Sequence, residues 1–150
     1  MYKILLIAHI LFGAISLVTG AIAAFSTKKK GNHTTSGKWF VISMSASAVF
    51  GVAITFIKPN PFLQSIALFT IYMTLMGFYA FKKNWVRNYL PYLGILIGLF
   101  MLYVAVFGSK GISIVALVFG LFQLVNSVMD ILGTIKNRVV LHASRIGGAY

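Results

Sequence analysis

The chain has 150 residues, 59% of them hydrophobic and only 9% Asp, Glu, Lys or Arg. Thirteen charges are basic and one, Asp130, is acidic, for a net charge of +12. A soluble domain carries roughly 25% charged residues of both signs. This composition therefore excludes a soluble enzyme, a disordered tail and an ordinary DNA-binding domain, and leaves a single integral membrane domain spanning 1–150.

A transmembrane helix needs about 20 mainly apolar residues. In chain order the stretches that qualify are Ile4–Phe25, Trp39–Ile57, Phe62–Phe81, Tyr89–Phe107 and Ile112–Ile135. Short gaps rich in charge and turn residues separate them, and Pro59 and Pro61 stop the second. Val139–Tyr150 is too short to cross. Either it lies at the interface or the chain ends inside a sixth helix, and the second reading is preferred. The expected fold is all-α: a polytopic transmembrane bundle of five full spans plus the start of a sixth helix. With so little chain outside the bilayer, function must lie in the bundle or on its short loops.

Charge placement sets orientation. The first, third and fifth connections hold Lys28, Lys29, Lys30, Lys38, Lys82, Lys83, Arg87, Lys136 and Arg138, against Lys3, Lys58 and Lys110 on the other side. Excess Lys and Arg marks the cytoplasmic face, so the N-terminus is expected outside, in a bacterial inner membrane. The charges sit in gaps between apolar runs rather than on one face, so the partner is the lipid bilayer and not nucleic acid. A secretory signal cleaved after Ala23 is opposed by the Lys28–Lys30 cluster that follows the apolar run. Cysteine is absent, which removes thiolate metal sites and disulfides.

Small residues let membrane helices approach closely. Gly94 and Gly98 form a GxxxG that can serve packing or a homo-oligomer. Ser16, Gly20 and Ala24, and Ser43, Ser47 and Gly51, form similar stripes. Trp39, Trp85, Tyr89, Tyr92 and Tyr103 read as an interfacial belt.

Ionisable groups within a bilayer are functional candidates by default. Asp130 shares a helical face with Gln123, Asn126 or Ser127, and Thr134, a stripe that must face protein or water. Asp130 stands seven residues before the turn after Asn137, and Arg145 eight after it. At about 1.5 Å per residue they reach similar depth on antiparallel helices, so an Asp130–Arg145 ion pair is expected. His142 lies one turn from Arg145. His33, in the first cytoplasmic connection, is placed on the same side of the membrane, whereas His9 lies about 8 Å below the opposite surface. Histidine can ligate haem or a metal, shuttle protons or simply hydrogen-bond.

The early helix histidine His9, the segment KKKGNHTTSGKWF and the terminal LHASRIGGAY together resemble a family of predicted bacterial multispan membrane proteins, domain of unknown function 2306. The matching elements are Gly31, His33, Gly37, Lys38, His142, Arg145, Gly148 and Tyr150. The resemblance implies that the helix beginning with the terminal motif runs on to complete another span. It brings no established activity. Its recurring histidines look like those of haem-bearing cytochrome b-type proteins, by analogy only.

Two functional expectations follow. In the first, His142 with His33 ligates haem or another redox cofactor near the cytoplasmic face, and Arg145 pairs with a propionate or quinone oxygen. In the second, the protein is a proton-coupled transporter whose Asp130, Asn126 and Gln123 line a polar path, or a structural membrane subunit. No catalytic triad, phosphate loop or acidic metal cluster is present, so the chain is not read as an enzyme.

Overall fold

The computed structural model describes residues 1–27, 31–81, 85–108 and 113–150, and of residues 85–87 the backbone alone. Lys28, Lys29, Lys30, Lys82, Lys83, Lys110 and Ile112 lie outside the described residues, as do the side chains of Trp85 and Arg87. The protein is all-α, and five of its helices are long and apolar enough to cross a membrane. The described residues fall into two compact units, residues 1–59 with Tyr150 and residues 60–149.

The first unit is the hairpin of α1 (Tyr2–Phe25) and α2 (Asn32–Ile57). Ser16, Gly20 and Ala23 are the buried residues of α1, whereas Ala24 is exposed, so the small stripe shifts by one residue. Ser43 and Ser47 are buried on α2. The Ser16 hydroxyl donates to the Gly13 carbonyl at 2.7 Å and that of Ser43 to the Trp39 carbonyl at 2.6 Å. Back-bonded in this way, a serine packs as a small, nearly apolar group. The apolar remainder of α1, including Ile4, Ile7, Leu11 and Val18, is exposed, as lipid-facing residues are.

One boundary differs by a full two turns. The gap from Ser26 to Lys38 is expected as a connection, but α2 already starts at Asn32, so His33 and Lys38 ride on a helix. Hydropathy measures how much of a helix sits in hydrocarbon, and it is blind to polar turns that extend a span into the headgroup region.

The second unit contains α3 (Pro61–Tyr79), α4 (Trp85–Phe107), α5 (Ile114–Leu132) and α6 (Arg138–Ala149). The Asn60 side chain accepts from the Leu63 N–H at 3.0 Å and Pro61 occupies the first turn, which starts α3 cleanly. Ser113 caps α5 through the Ala116 N–H at 3.3 Å. Helix α5 ends three residues before the expected Ile135. Gly133 adopts φ 63°, ψ 29°, a left-handed conformation that closes a helix and suits glycine. Thr134 therefore lies beyond the helix and leaves the polar stripe to which the sequence assigns it. Asn137 Oδ1 then accepts from the N–H groups of Val139 and Val140 at 2.9 and 3.4 Å, starting α6.

Helix α6 runs back along α3. Gly77 of α3 lies against Ile146, and Met73 against Gly148. Arg138 donates to the Phe81 carbonyl at 3.4 Å, near the end where α6 begins. Helices α4 and α5 pack through the glycines of the GxxxG. A Cβ on Gly98 would stand 2.7 Å from Leu124 Cδ2, and one on Gly94 would strike Ser127, Tyr72 and Gln123. This face is therefore packed within the chain against α5.

Candidate functional site

The depth of Asp130 on α5 and Arg145 on α6 brings the two side chains together. Arg145 Nη2 stands 2.8 Å from Asp130 Oδ1, and Arg145 Nε donates to Asp130 Oδ2 at 3.1 Å. Both side chains are 2% exposed, so the pair sits outside the screening of solvent. Nη1 donates to Asn126 Oδ1 and to Ser144 Oγ (the latter at 3.4 Å), and Nη2 also reaches the Asn126 carbonyl at 3.3 Å. A guanidinium has five N–H donors, and each one here has an acceptor inside the unit.

This saturation corrects one expectation. Arg145 has no donor left for a propionate or a quinone oxygen, because α5 and its own helix supply every acceptor. Asp130 is equally committed, since its Oδ2 also accepts the Tyr72 hydroxyl of α3 at 2.8 Å. Asn126 Nδ2 donates to the Phe122 carbonyl at 2.8 Å. Gln123 Nε2 donates to the Gly94 carbonyl at 3.2 Å and to Ser127 Oγ at 3.1 Å, while its Oε1 is buried without a partner among the described residues. These groups link α3, α4, α5 and α6 in a charge-neutral network in which Gln123 Oε1 is the unpaired atom among those named.

Sequence reasoning did not single out Tyr72. One signal was available: belt tyrosines sit at the rims of spans, whereas Tyr72 stands in the middle of α3 and is buried.

The three histidines share one local arrangement. In the second unit His142 Nδ1 lies 2.8 Å from the Gly77 carbonyl, and its ring centroid is 5.3 Å from that of Phe81. In the first unit His33 Nδ1 lies 2.8 Å from the Ala23 carbonyl, and His9 Nδ1 lies 2.8 Å from that of Ser47. Ser47 returns a bond from its hydroxyl to the His9 carbonyl at 3.0 Å, clamping α1 to α2. A carbonyl oxygen can only accept, so each Nδ1 carries a proton, and in the neutral imidazole Nε2 is then the atom with the lone pair. Histidines that ligate metals are held in this way, with the other ring nitrogen donating to a carbonyl or carboxylate. No group of three or more His, Cys, Asp or Glu comes together among the described residues. A single imidazole held in this way is a donor that a haem iron could use.

A cavity of about 230 Å³ opens between α3 and α4, with Leu68, Tyr72, Leu96 and Phe100 among its lining residues. No histidine or charged residue lines it.

No family model, curated protein or solved structure matches the chain. The functional reading therefore rests on the residues themselves.

Proposed function

We propose that the protein is a non-enzymatic, multi-pass component of a bacterial inner membrane that binds haem or another redox cofactor near the cytoplasmic face, which His142 would hold. The observation that carries this reading is the 2.8 Å bond from His142 Nδ1 to the Gly77 carbonyl, which orients the ring with Nε2 available as a ligand atom in the neutral form. His33, in its own unit, has the same preparation. When bound, haem would supply one-electron chemistry, and the chain's part is to hold the imidazole and exclude water.

Purified protein from haem-replete cells should show a Soret band that disappears in His142→Ala. Colourless, metal-free protein would sink the proposal.

A second reading is a structural membrane subunit. The saturation of Arg145 favours it, because a network of this kind pins helices and commits its charged groups to one another. Proton-coupled transport through Asp130, Asn126 and Gln123 is the least supported, since their polar atoms are mostly engaged with one another and with backbone.

The proposed orientation places the N-terminus outside, by the excess of Lys and Arg in alternate connections. Because the chain has no cysteine, single cysteines replacing Lys3 and Lys38 can be labelled without background. An impermeant reagent on intact cells should label position 3 and not position 38. The reverse pattern would invert the topology and move the cofactor to the other face.

A further inference from the structure

Asp130 is the chain's only acidic side chain, and it is sealed against Arg145 at 2% exposure. No carboxylate side chain is therefore left to neutralise a cation at the surface. Two such cations, Lys136 and Arg138, are exposed where α6 begins, both within the second unit. Arg138 Nη1 donates to the Phe81 carbonyl at 3.4 Å, just beyond the end of α3. The rest of its guanidinium has no partner among the described residues, so most of the fork is open to an acceptor from outside. Asn137 Oδ1 already accepts from the N–H groups of Val139 and Val140. An anion arriving here meets side chains, not the open end of a helix.

The neighbours of these cations select the class of anion. Phe81, whose carbonyl Arg138 touches, and Val139 and Val140, which follow Arg138 in α6, are apolar and each at least half exposed. A free phosphate or a nucleic acid offers nothing to such side chains. A phospholipid offers both parts: a phosphate at the membrane surface and hydrocarbon directly beneath it. Arginine suits the phosphate because its planar fork binds two oxygens at once. Two cations without an acidic neighbour favour a lipid of net negative charge over phosphatidylcholine, whose own choline balances its phosphate.

We infer that Arg138 and Lys136 hold the phosphate of an anionic phospholipid, with its hydrocarbon lying along Phe81, Val139 and Val140. The inference goes beyond the cofactor reading and does not depend on it.

Because the chain has no cysteine, Val140→Cys can carry a single fluorophore beside the site. The full chain so labelled is reconstituted in phosphatidylcholine vesicles with increasing fractions of brominated phosphatidylglycerol or brominated phosphatidylcholine, and quenching is followed. Half-quenching by the phosphatidylglycerol should come at a mole fraction about tenfold lower, since each Lys or Arg near an anionic surface contributes roughly a factor of five. In the labelled background, Arg138→Gln should reduce this preference about fivefold, and Arg138→Gln with Lys136→Gln should abolish it. Arg138→Lys, which keeps the charge, should retain most of it, and so should Lys58→Gln in the first unit. Equal quenching by the two lipids in the parent would overturn the inference. So would a preference that survives the double variant, or one lost equally in Lys58→Gln, which would show general attraction to the surface and no site. Displacement of the lipid by inorganic phosphate, compared with chloride at matched ionic strength, would mark a free-anion site and overturn it as well. Thermal unfolding of Arg138→Gln in detergent should match the parent; a lower melting temperature would assign Arg138 to folding instead.

Discussion

Replacing Arg145 with leucine should destabilise the protein by about 3 kcal/mol or more, measured as equilibrium unfolding in mixed micelles. The change would strand the Asp130 carboxylate, 2% exposed, with the Tyr72 hydroxyl as its remaining side-chain donor. Breaking a buried pair by removing one partner typically costs about 3–5 kcal/mol, because the other charge is left uncompensated. It would also strip Asn126 Oδ1 of its donor. The double variant Asp130→Leu with Arg145→Leu should recover most of the loss, since exchanging a whole buried pair for apolar side chains is often neutral. A loss under about 1 kcal/mol for Arg145→Leu would mean that the pair does not pin α6, given the modest worth of many polar contacts in membranes.

The second large effect is expected at Gly94. A Cβ there would stand 2.5 Å from Tyr72 Cε2 and 2.8 Å from Gln123 Nε2, and it would also strike Ser127 Oγ. Those three groups belong to α3 and α5, so the clash cannot be relieved by one flexible side chain. Gly94→Val should cost about 3 kcal/mol, at the upper end of overpacking, because parting the helices also breaks the bond from Gln123 to the Gly94 carbonyl. Gly147→Ala is the matched control. Its Cβ meets nothing within 4 Å, so the substitution should leave stability unchanged or raise it by up to about 1 kcal/mol. Equal destabilisation by the two variants would show that helix propensity, and not the α4–α5 contact, sets the cost.

Both effects centre on one network, and it was only partly legible beforehand. Counting residues from the turn at Asn137 places Asp130 and Arg145 level, because an antiparallel hairpin converts sequence distance directly into depth. The same counting says nothing about valence. That Arg145 exhausts its donors on Asn126, Asp130 and Ser144 depends on rotamers and helix rotation, which no spacing rule supplies. Tyr72 is separated from Asp130 by 58 residues, and no local pattern joins them. The carbonyl partners of the histidines are hidden for a further reason: every residue has a carbonyl, so sequence cannot mark which one an imidazole will meet.

Span count and the all-α class follow from the order of residues alone, because hydrocarbon admits only backbone that satisfies its own hydrogen bonds. Runs of apolar residues of sufficient length must therefore become helices, whatever they pack against. The tertiary structure decided which faces of those helices meet. It covered Gly94 and Gly98 with α5, extended α2 back to His33 and closed the polar network around Arg145. Such choices turn on shape and on the pairing of individual donors and acceptors, to which average hydrophobicity is indifferent.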